Sequence, residues 1–345
     1  MKKVLIVILI LAIASGGVVS ALYTKVWNPE WNPFKLSPEE VLSEMTDKME
    51  DLNSFHADVN LAVGGASFNL SGVQGNLDLG LDLSLDVDKE DIENMKSKGN
   101  VDVSLKAEGI SVTGSLGLIG IGNELYLKLD TIPNIGAYSL IFNQLKGQWI
   151  KIDQETLDGL SNSYISTEGL SNMNEQKEME KELIDLFTGR KFYEVKEELK
   201  SESISGEMTY HYLVSLDKEE IKMVIPEMID IIGKYSEVSE GETEKAKEEL
   251  PDMIDEFFEK MGDFDAEVWI GQKDYYLYKM EIDKEIDFSE FGNSAPDGTL
   301  SFSLGMVLSE FDKDFVIEPP QDYRNFQEIM SEIMMNLFMQ PEMNM

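Results

Sequence analysis

Between residues 77 and 88 aliphatic and polar positions alternate without a break. Leu77, Leu79, Leu81, Leu83, Leu85 and Val87 stand against Asp78, Gly80, Asp82, Ser84, Asp86 and Asp88. A period of two puts every aliphatic side chain on one face of a strand and the acids on the other, whereas a helix would scatter them around its circumference. At about 3.3 Å per residue the run spans roughly 40 Å, about twice an ordinary strand. Such a strand belongs to a large antiparallel sheet with one dry and one wet face. The same alternation recurs in Ala57, Val59, Leu61 and Val63, in Val101, Val103, Leu105 and Ala107, and in Leu125, Leu127 and Leu129. Further strands are predicted over 148–153, 192–200, 207–216, 264–270, 275–282 and 300–308. Glycines at 109, 114, 117, 120 and 122 read as bends or bulges that let the sheet curl.

Helical spacing takes over at five places. Ser37-Pro38-Glu39-Glu40 is a capping box with proline at the first helical position, and Leu36 and Val41 are placed as a hydrophobic staple. Val41, Leu42, Met45, Met49 and Leu52 then form one apolar stripe. A short amphipathic helix is predicted over 173–187, after an exposed loop at 154–172. Asp217-Lys218-Glu219-Glu220 repeats the capping logic with Leu216 and Ile221 as the staple, and Pro226 should kink or split the helix that follows. An acidic helix over 242–261 meets Pro251 in the same way. Residues 323–339 form a methionine-laden amphipathic helix that follows the last predicted strand as an appendage.

The N-terminus is an export element. Lys2 and Lys3 precede an apolar run over 4–14, and apolar character resumes through Val18, Val19, Ala21, Leu22 and Tyr23. Val19-Ser20-Ala21 offers small-residue spacing for cleavage after Ala21, which would give a secreted protein. Residues 4–23 are also long enough to span a bilayer as a retained anchor, with Trp27 and Trp31 suited to the interface just outside it. The length and the tryptophans favour the anchor, so the expected location is a single-pass cell-membrane protein with residues 24–345 extracytoplasmic. Residues 24–36 are then a linker.

Charge removes whole classes of partner. With 66 acids against 29 bases the net charge is −37, and such a polyanion is repelled by phosphate backbones, so no nucleic acid is expected. The chain has no cysteine, which excludes disulfides, thiol chemistry and a lipidated cysteine. Asp78, Asp82 and Asp86 share a strand face at about 13 Å intervals, too far apart to share a calcium ion, and read as a solvated outer face. His56 and His211 could meet and hold zinc, but the plainer reading is two half-buried strand residues. No nucleophile elbow, phosphate loop or zinc-protease motif occurs. No catalytic residue, metal site or cofactor is expected, and the protein is not expected to be an enzyme. Met330, Met334, Met335, Met339, Met343 and Met345 could bind Cu(I) as soft thioethers, but Phe326, Ile329, Ile333, Leu337 and Phe338 share the helix, and the plainer reading is an apolar face for the sheet or a protein partner.

The order of certain phrases carries a resemblance. Asn123-Glu124-Leu125-Tyr126-Leu127-Lys128-Leu129 with Pro133 is followed by Gln148-Trp149-Ile150-Lys151-Ile152-Asp153. Then come Tyr210-His211-Tyr212-Leu213-Val214-Ser215-Leu216-Asp217, Val268-Trp269-Ile270 and the strand over 275–282. Together they resemble the exported LppX/LprG-like lipoproteins, across most of residues 38–320. The resemblance implies the fold shared with the LolA and LolB carriers: α+β, a large, strongly curved antiparallel half-barrel whose concave face is covered by helices around an apolar cavity. That domain would occupy 37–322, between the anchor at 1–23 with its linker and the C-terminal helix at 323–345. The implied role is holding lipid or another long apolar molecule, and the candidate cavity face is Leu77, Leu79, Leu81, Leu83, Leu85, Val103 and Leu105. That family is usually tethered through a lipidated cysteine, so here the N-terminal helix must serve as the tether. The alternative is a non-enzymatic structural or protein-interaction domain of the cell envelope, its cavity filled by its own acidic helices.

Overall fold

A computed structural model describes residues 36–70, 73–91, 94–107, 110–132, 145–152, 156, 178–179, 181–183, 185–186, 190, 192–235, 240–287 and 298–338. The expected anchor and linker and most of the 154–172 loop lie outside these residues. Of the helix expected at 173–187, the described positions 178–179, 181–183 and 185–186 are helical. Among the described residues no helix is long and apolar enough to cross a membrane.

The elements in chain order are α1 (Pro38–Asp51), β1 (Ser54–Leu70), β2 (Val73–Asp88), β3 (Lys96–Ala107), β4 (Ile110–Ile121), β5 (Glu124–Thr131), β6 (Trp149–Ile152), β7 (Tyr193–Ile204) and β8 (Glu207–Leu216). There follow α2 (Lys218–Tyr235), α3 (Glu240–Met261), β9 (Asp265–Gly271), β10 (Leu277–Asp287), β11 (Thr299–Ser309), β12 (Tyr323–Asn325) and α4 (Phe326–Phe338). The strands make one open sheet in the order β12-β6-β5-β4-β3-β2-β1-β11-β10-β9-β8-β7. This is the large α+β sheet expected from the alternation, with one correction: it is mixed, because β12 runs parallel to β6.

The chain divides into two compact units. The first takes in Met1–Leu52, Ala66–Val73 and Thr167–Val307, and its core is a helix-on-sheet layer. Ser37 caps α1 as the sequence requires: its Oγ accepts from the Glu40 amide at 3.2 Å, and the Glu40 carboxylate accepts from the Ser37 amide at 2.6 Å. Val41, Leu42 and Met45 are buried on the inner face of α1, which lies against β7 and β9. Asp217 caps α2, its carboxylate accepting from the amides of Glu219 and Glu220 at 3.0 Å. Ile221, Val224, Ile225 and Met228 of α2 and Ile254, Phe257, Phe258 and Met261 of α3 pack with Phe192, Leu216, Phe264 and Ile286 in one buried cluster. Phe257 and Phe264 stack with ring centroids 5.7 Å apart. Each fully buried aliphatic or aromatic side chain contributes about 1.5–3 kcal/mol. Against that, a proline removes one backbone hydrogen bond, and neither Pro226 nor Pro251 splits its helix.

The second unit takes in Asn53–Gly65, Gln74–Ser166 and Leu308–Met345. It carries small buried clusters on both faces of its strands. One joins Ile119, Tyr126 and Ile317, and the other joins Leu145, Ile150 and Ile329. The expected C-terminal helix starts at Phe326, and Tyr323–Asn325 form an edge strand instead. The glycines of β4 do not break it, since the strand runs continuously through Gly114, Gly117 and Gly120. The one irregularity in its pairing with β5 falls between Ser115 and Leu116. Gly122, at φ 53°, lies in the turn between the two strands.

Candidate functional site

The leucine stripe of β2 acquires neighbours through strand register. Leu77 pairs with Ala107, Leu79 with Leu105, Leu81 with Val103, Leu83 with Val101 and Leu85 with Gly99. Directly paired residues share a face, so all seven candidate residues come together. The next strand continues the face, with Val112 beside Leu105, Leu116 beside Val101 and Leu118 beside Gly99. A methyl on Gly99 would come within 2.0 Å of the Ser84 carbonyl oxygen, so β2 and β3 approach closely here only because that residue is glycine. Leu77, Leu79, Leu81, Leu83, Leu85, Val103 and Leu105 are all half-buried, and only Val87, at the end of β2, is buried. At β5 and β6 the same face is closed: Leu129 and Ile150 pack with Leu145 and with Phe326 and Ile329 from the first turn of α4. Met330 and Met335 of that helix are exposed.

The opposite face is polar but not simply solvated. Asp86 Oδ1 lies 2.7 Å from His56 Nδ1, and Asp58 Oδ1 lies 3.3 Å from Nε2. Asn60 donates to Asp82. Burial lowers the His56 pKa, but the Asp86 hydrogen bond and the Asp58 charge outweigh it, and the net shift is upward. Ser84 Oγ sits 3.4 Å from His56 Nε2, so serine, histidine and aspartate stand in the order of a hydrolytic triad. The geometry argues against that use, because Nε2 is shared with the Asp58 carboxylate, and the proton that Nε2 needs to donate to it occupies the lone pair that would take a serine proton.

Farther along this face, Lys128 lies over the Trp149 ring with Nζ 5.3 Å from the centroid. Lys151 pairs with Glu124 and lies 5.7 Å from the ring centroids of both Tyr126 and Tyr323. Hydrogen bonds from Lys151 and Tyr126 hold the Glu124 carboxyl below its ordinary value. A hollow of about 320 Å³ is lined by His56, Ser84, Asp86, Asn100, Lys128 and Trp149, among others. A second of about 870 Å³ shares Trp149 and is lined also by Gln148, Gln321, Tyr323, Arg324 and Glu328. This site is not among the positions that the alternation of apolar and polar residues marks. Its one signal is that Trp149 and Lys151 occupy the outward positions of a strand whose inward positions are Ile150 and Ile152.

In the first unit, His211 is buried, 2.7 Å from a Glu267 carboxylate oxygen and stacked on Trp269 at 4.2 Å. Each histidine therefore has its own carboxylate partner, and no group of three potential metal ligands occurs among the described residues. The Tyr212 hydroxyl and Trp269 Nε1 are buried without a hydrogen-bond partner among the described residues. Burial, followed by the charge of Glu198, pushes the Tyr212 pKa well above the usual phenol value.

Several solved structures are similar to this chain. The lipoprotein LppX of Mycobacterium tuberculosis is 15% identical, with 82% of this chain and 100% of that one covered at a TM-score of 0.35. LprF from Mycobacterium bovis is also 15% identical, covering 82% of this chain and 98% of that one at 0.39. A DUF1329 family protein from Desulfovibrio piger is 8% identical, covering 81% and 92% at 0.19. No family model and no curated protein matches the chain.

Proposed function

We propose that this protein is an exported, membrane-tethered binding protein that holds a lipid or another long apolar molecule on the leucine face of β2, β3 and β4. The observation that carries the reading is a contrast between two apolar surfaces of one sheet. Where α2 and α3 cover strands of the first unit, the interior is sealed, with Ile221, Ile225, Ile254 and Ile286 each no more than 2% exposed. On β2, β3 and β4 an equally apolar face, continuous over three strands, is only half-buried. An extended apolar surface left partly open is a binding surface by default. An aliphatic face without fixed polar groups selects for chain length and apolarity rather than for a headgroup.

The test is native mass spectrometry of the full chain purified in mild detergent, together with displacement of a fluorescent fatty-acyl probe. Co-purified lipid, and a probe whose binding is lost in Leu81→Asp and kept in Asp82→Leu, supports the reading. A chain that carries no lipid and binds no acyl probe ends it. That outcome would favour the structural domain, for which the sealed core around α2 and α3 is the supporting observation.

A further inference from the structure

The polar face of β2 to β6 and β12 carries a second arrangement that does not depend on the leucine face being occupied. Register places Ser84, Asn100, Gly117, Lys128, Trp149 and Tyr323 in one transverse row, each paired with the next. With strands about 4.8 Å apart, six positions span roughly 24 Å. The first hollow lies along the row, the second lies at its β12 end, and Trp149 lines both. Gly117 brings the indole down to the sheet. A methyl there would meet Trp149 Cη2 at 3.3 Å and Lys128 Cε at 3.5 Å. Next to the indole, Tyr323 is 45% exposed although its ring packs edge-on against buried Tyr126 at 5.4 Å.

The chemistry of the row narrows the ligand. Charges of both signs meet along it: Asp86 and Asp58 lie against His56, Lys128 pairs with Asp130 at 3.1 Å, and Lys98 stands exposed on the wall of the first hollow. A charged ligand finds no net complement, and a phosphate polymer is further repelled by the net charge of −37. An alkyl chain would desolvate Ser84, Asp86 and Asn100 without giving them partners. What remains is a neutral molecule whose edge both donates and accepts hydrogen bonds and whose flat C–H face can lie on an aromatic ring. Asn100 supplies both donor and acceptor, Asp86 accepts and Lys98 donates. The electron-rich faces of Trp149 and Tyr323 suit the slightly positive C–H groups. We infer that this row is a binding site for a neutral oligosaccharide, with Trp149 and Tyr323 as stacking platforms and Ser84, Asp86, Lys98 and Asn100 as the hydrogen-bonding wall. The chemistry is that of a hexose, whether carried on a soluble polymer or as the headgroup of a glycolipid.

The experiment is isothermal titration of the full chain with neutral hexasaccharides of glucose, mannose and N-acetylglucosamine, read in parallel by tryptophan fluorescence. At least one should saturate, and affinity should fall tenfold or more in Trp149→Ala. Because Trp149 also packs beside Ile119 and Ile317, Asn100→Ala and Tyr323→Ala provide variants at exposed positions, each expected to weaken binding several-fold. Acyl-probe binding should stay unchanged in both. Vesicles bearing a neutral glycolipid, run beside the soluble sugar, identify the source by which of the two binds more tightly. The proposal is overturned if neither form of neutral sugar binds, if only acidic glycans bind, or if binding survives all three substitutions.

Discussion

His56 bridges two carboxylates, with Asp86 2.7 Å from Nδ1 and Asp58 3.3 Å from Nε2. Both ring nitrogens must carry protons for both bonds to be made, so the folded chain favours the imidazolium. Lys98 and Lys128 line the same hollow, and burial opposes the charged form, yet the net His56 pKa remains above its ordinary 6.5. A group whose folded pKa is raised contributes stability in full below its unfolded pKa and loses it as pH rises through the folded value. The melting temperature of the native chain relative to His56→Gln should therefore be highest near pH 5.5 and decline as pH rises above about 6.5. A difference that does not change with pH would mean the two carboxylates do not hold the ring in solution.

The two faces of β2 should respond oppositely to exchange of residue type. Leu81 is half-buried beside Val103, so Leu81→Asp places a charge in a partly dry apolar setting and should cost about 1–3 kcal/mol. Asp82 sits directly opposite Asp102, a like-charge pair that weakens the ladder. Asp82→Leu relieves that repulsion and forfeits the hydrogen bond from Asn60, leaving stability within about 1 kcal/mol of the native chain. Urea denaturation of the two variants decides it. Equal losses would mean that the faces are not distinguished by solvent.

The faces of β2 were legible because a twelve-residue alternation of period two has no helical equivalent, and both caps because Ser37 and Asp217 stand immediately ahead of apolar stripes. The row through Trp149 was not legible. Gly117 and Trp149 are neighbours only through two ladders: the turn at Gly122 and Asn123 sets Lys128 opposite Gly117, but the pairing of Lys128 with Trp149 joins β5 to a strand that arrives from farther along the chain. No local pattern encodes that register. Tyr323–Asn325 escaped for a related reason, since three residues are too few to show a period and helical spacing begins at the next position. Pro226 does not split α2, because the buried cluster holds the helix on both sides of it and outweighs the missing backbone hydrogen bond.

Tyr212 offers a stabilising substitution. Its ring is fully buried in β8, and its hydroxyl has no partner among the described residues. An unsatisfied buried hydroxyl carries a desolvation cost without the return of a hydrogen bond. Tyr212→Phe keeps the ring and removes that cost, so it should raise stability by about 1 kcal/mol. A loss of stability in thermal or urea melts would show that the hydroxyl is bonded in solution.

The C-terminal helix can be separated into an anchoring part and a working part. Ile329 is 2% exposed against Leu145 and Ile150, so Ile329→Ala should cost about 2–4 kcal/mol of the docking of α4. Met330 and Met335 are exposed, and replacing both with Gln should leave stability within about 0.5 kcal/mol. Because Ile150 and Leu129 lie on the same face as the β2 leucines, α4 is seated at one end of the proposed acyl surface. If α4 acts as a lid there, deleting residues 326–345 should speed release of a bound acyl probe while β2 to β5 keep their amide protection in hydrogen exchange. Unchanged release with the sheet intact would remove the lid role and leave the exposed methionines as a surface for a protein partner. Loss of protection across β2 to β5 would show instead that the helix is part of the core.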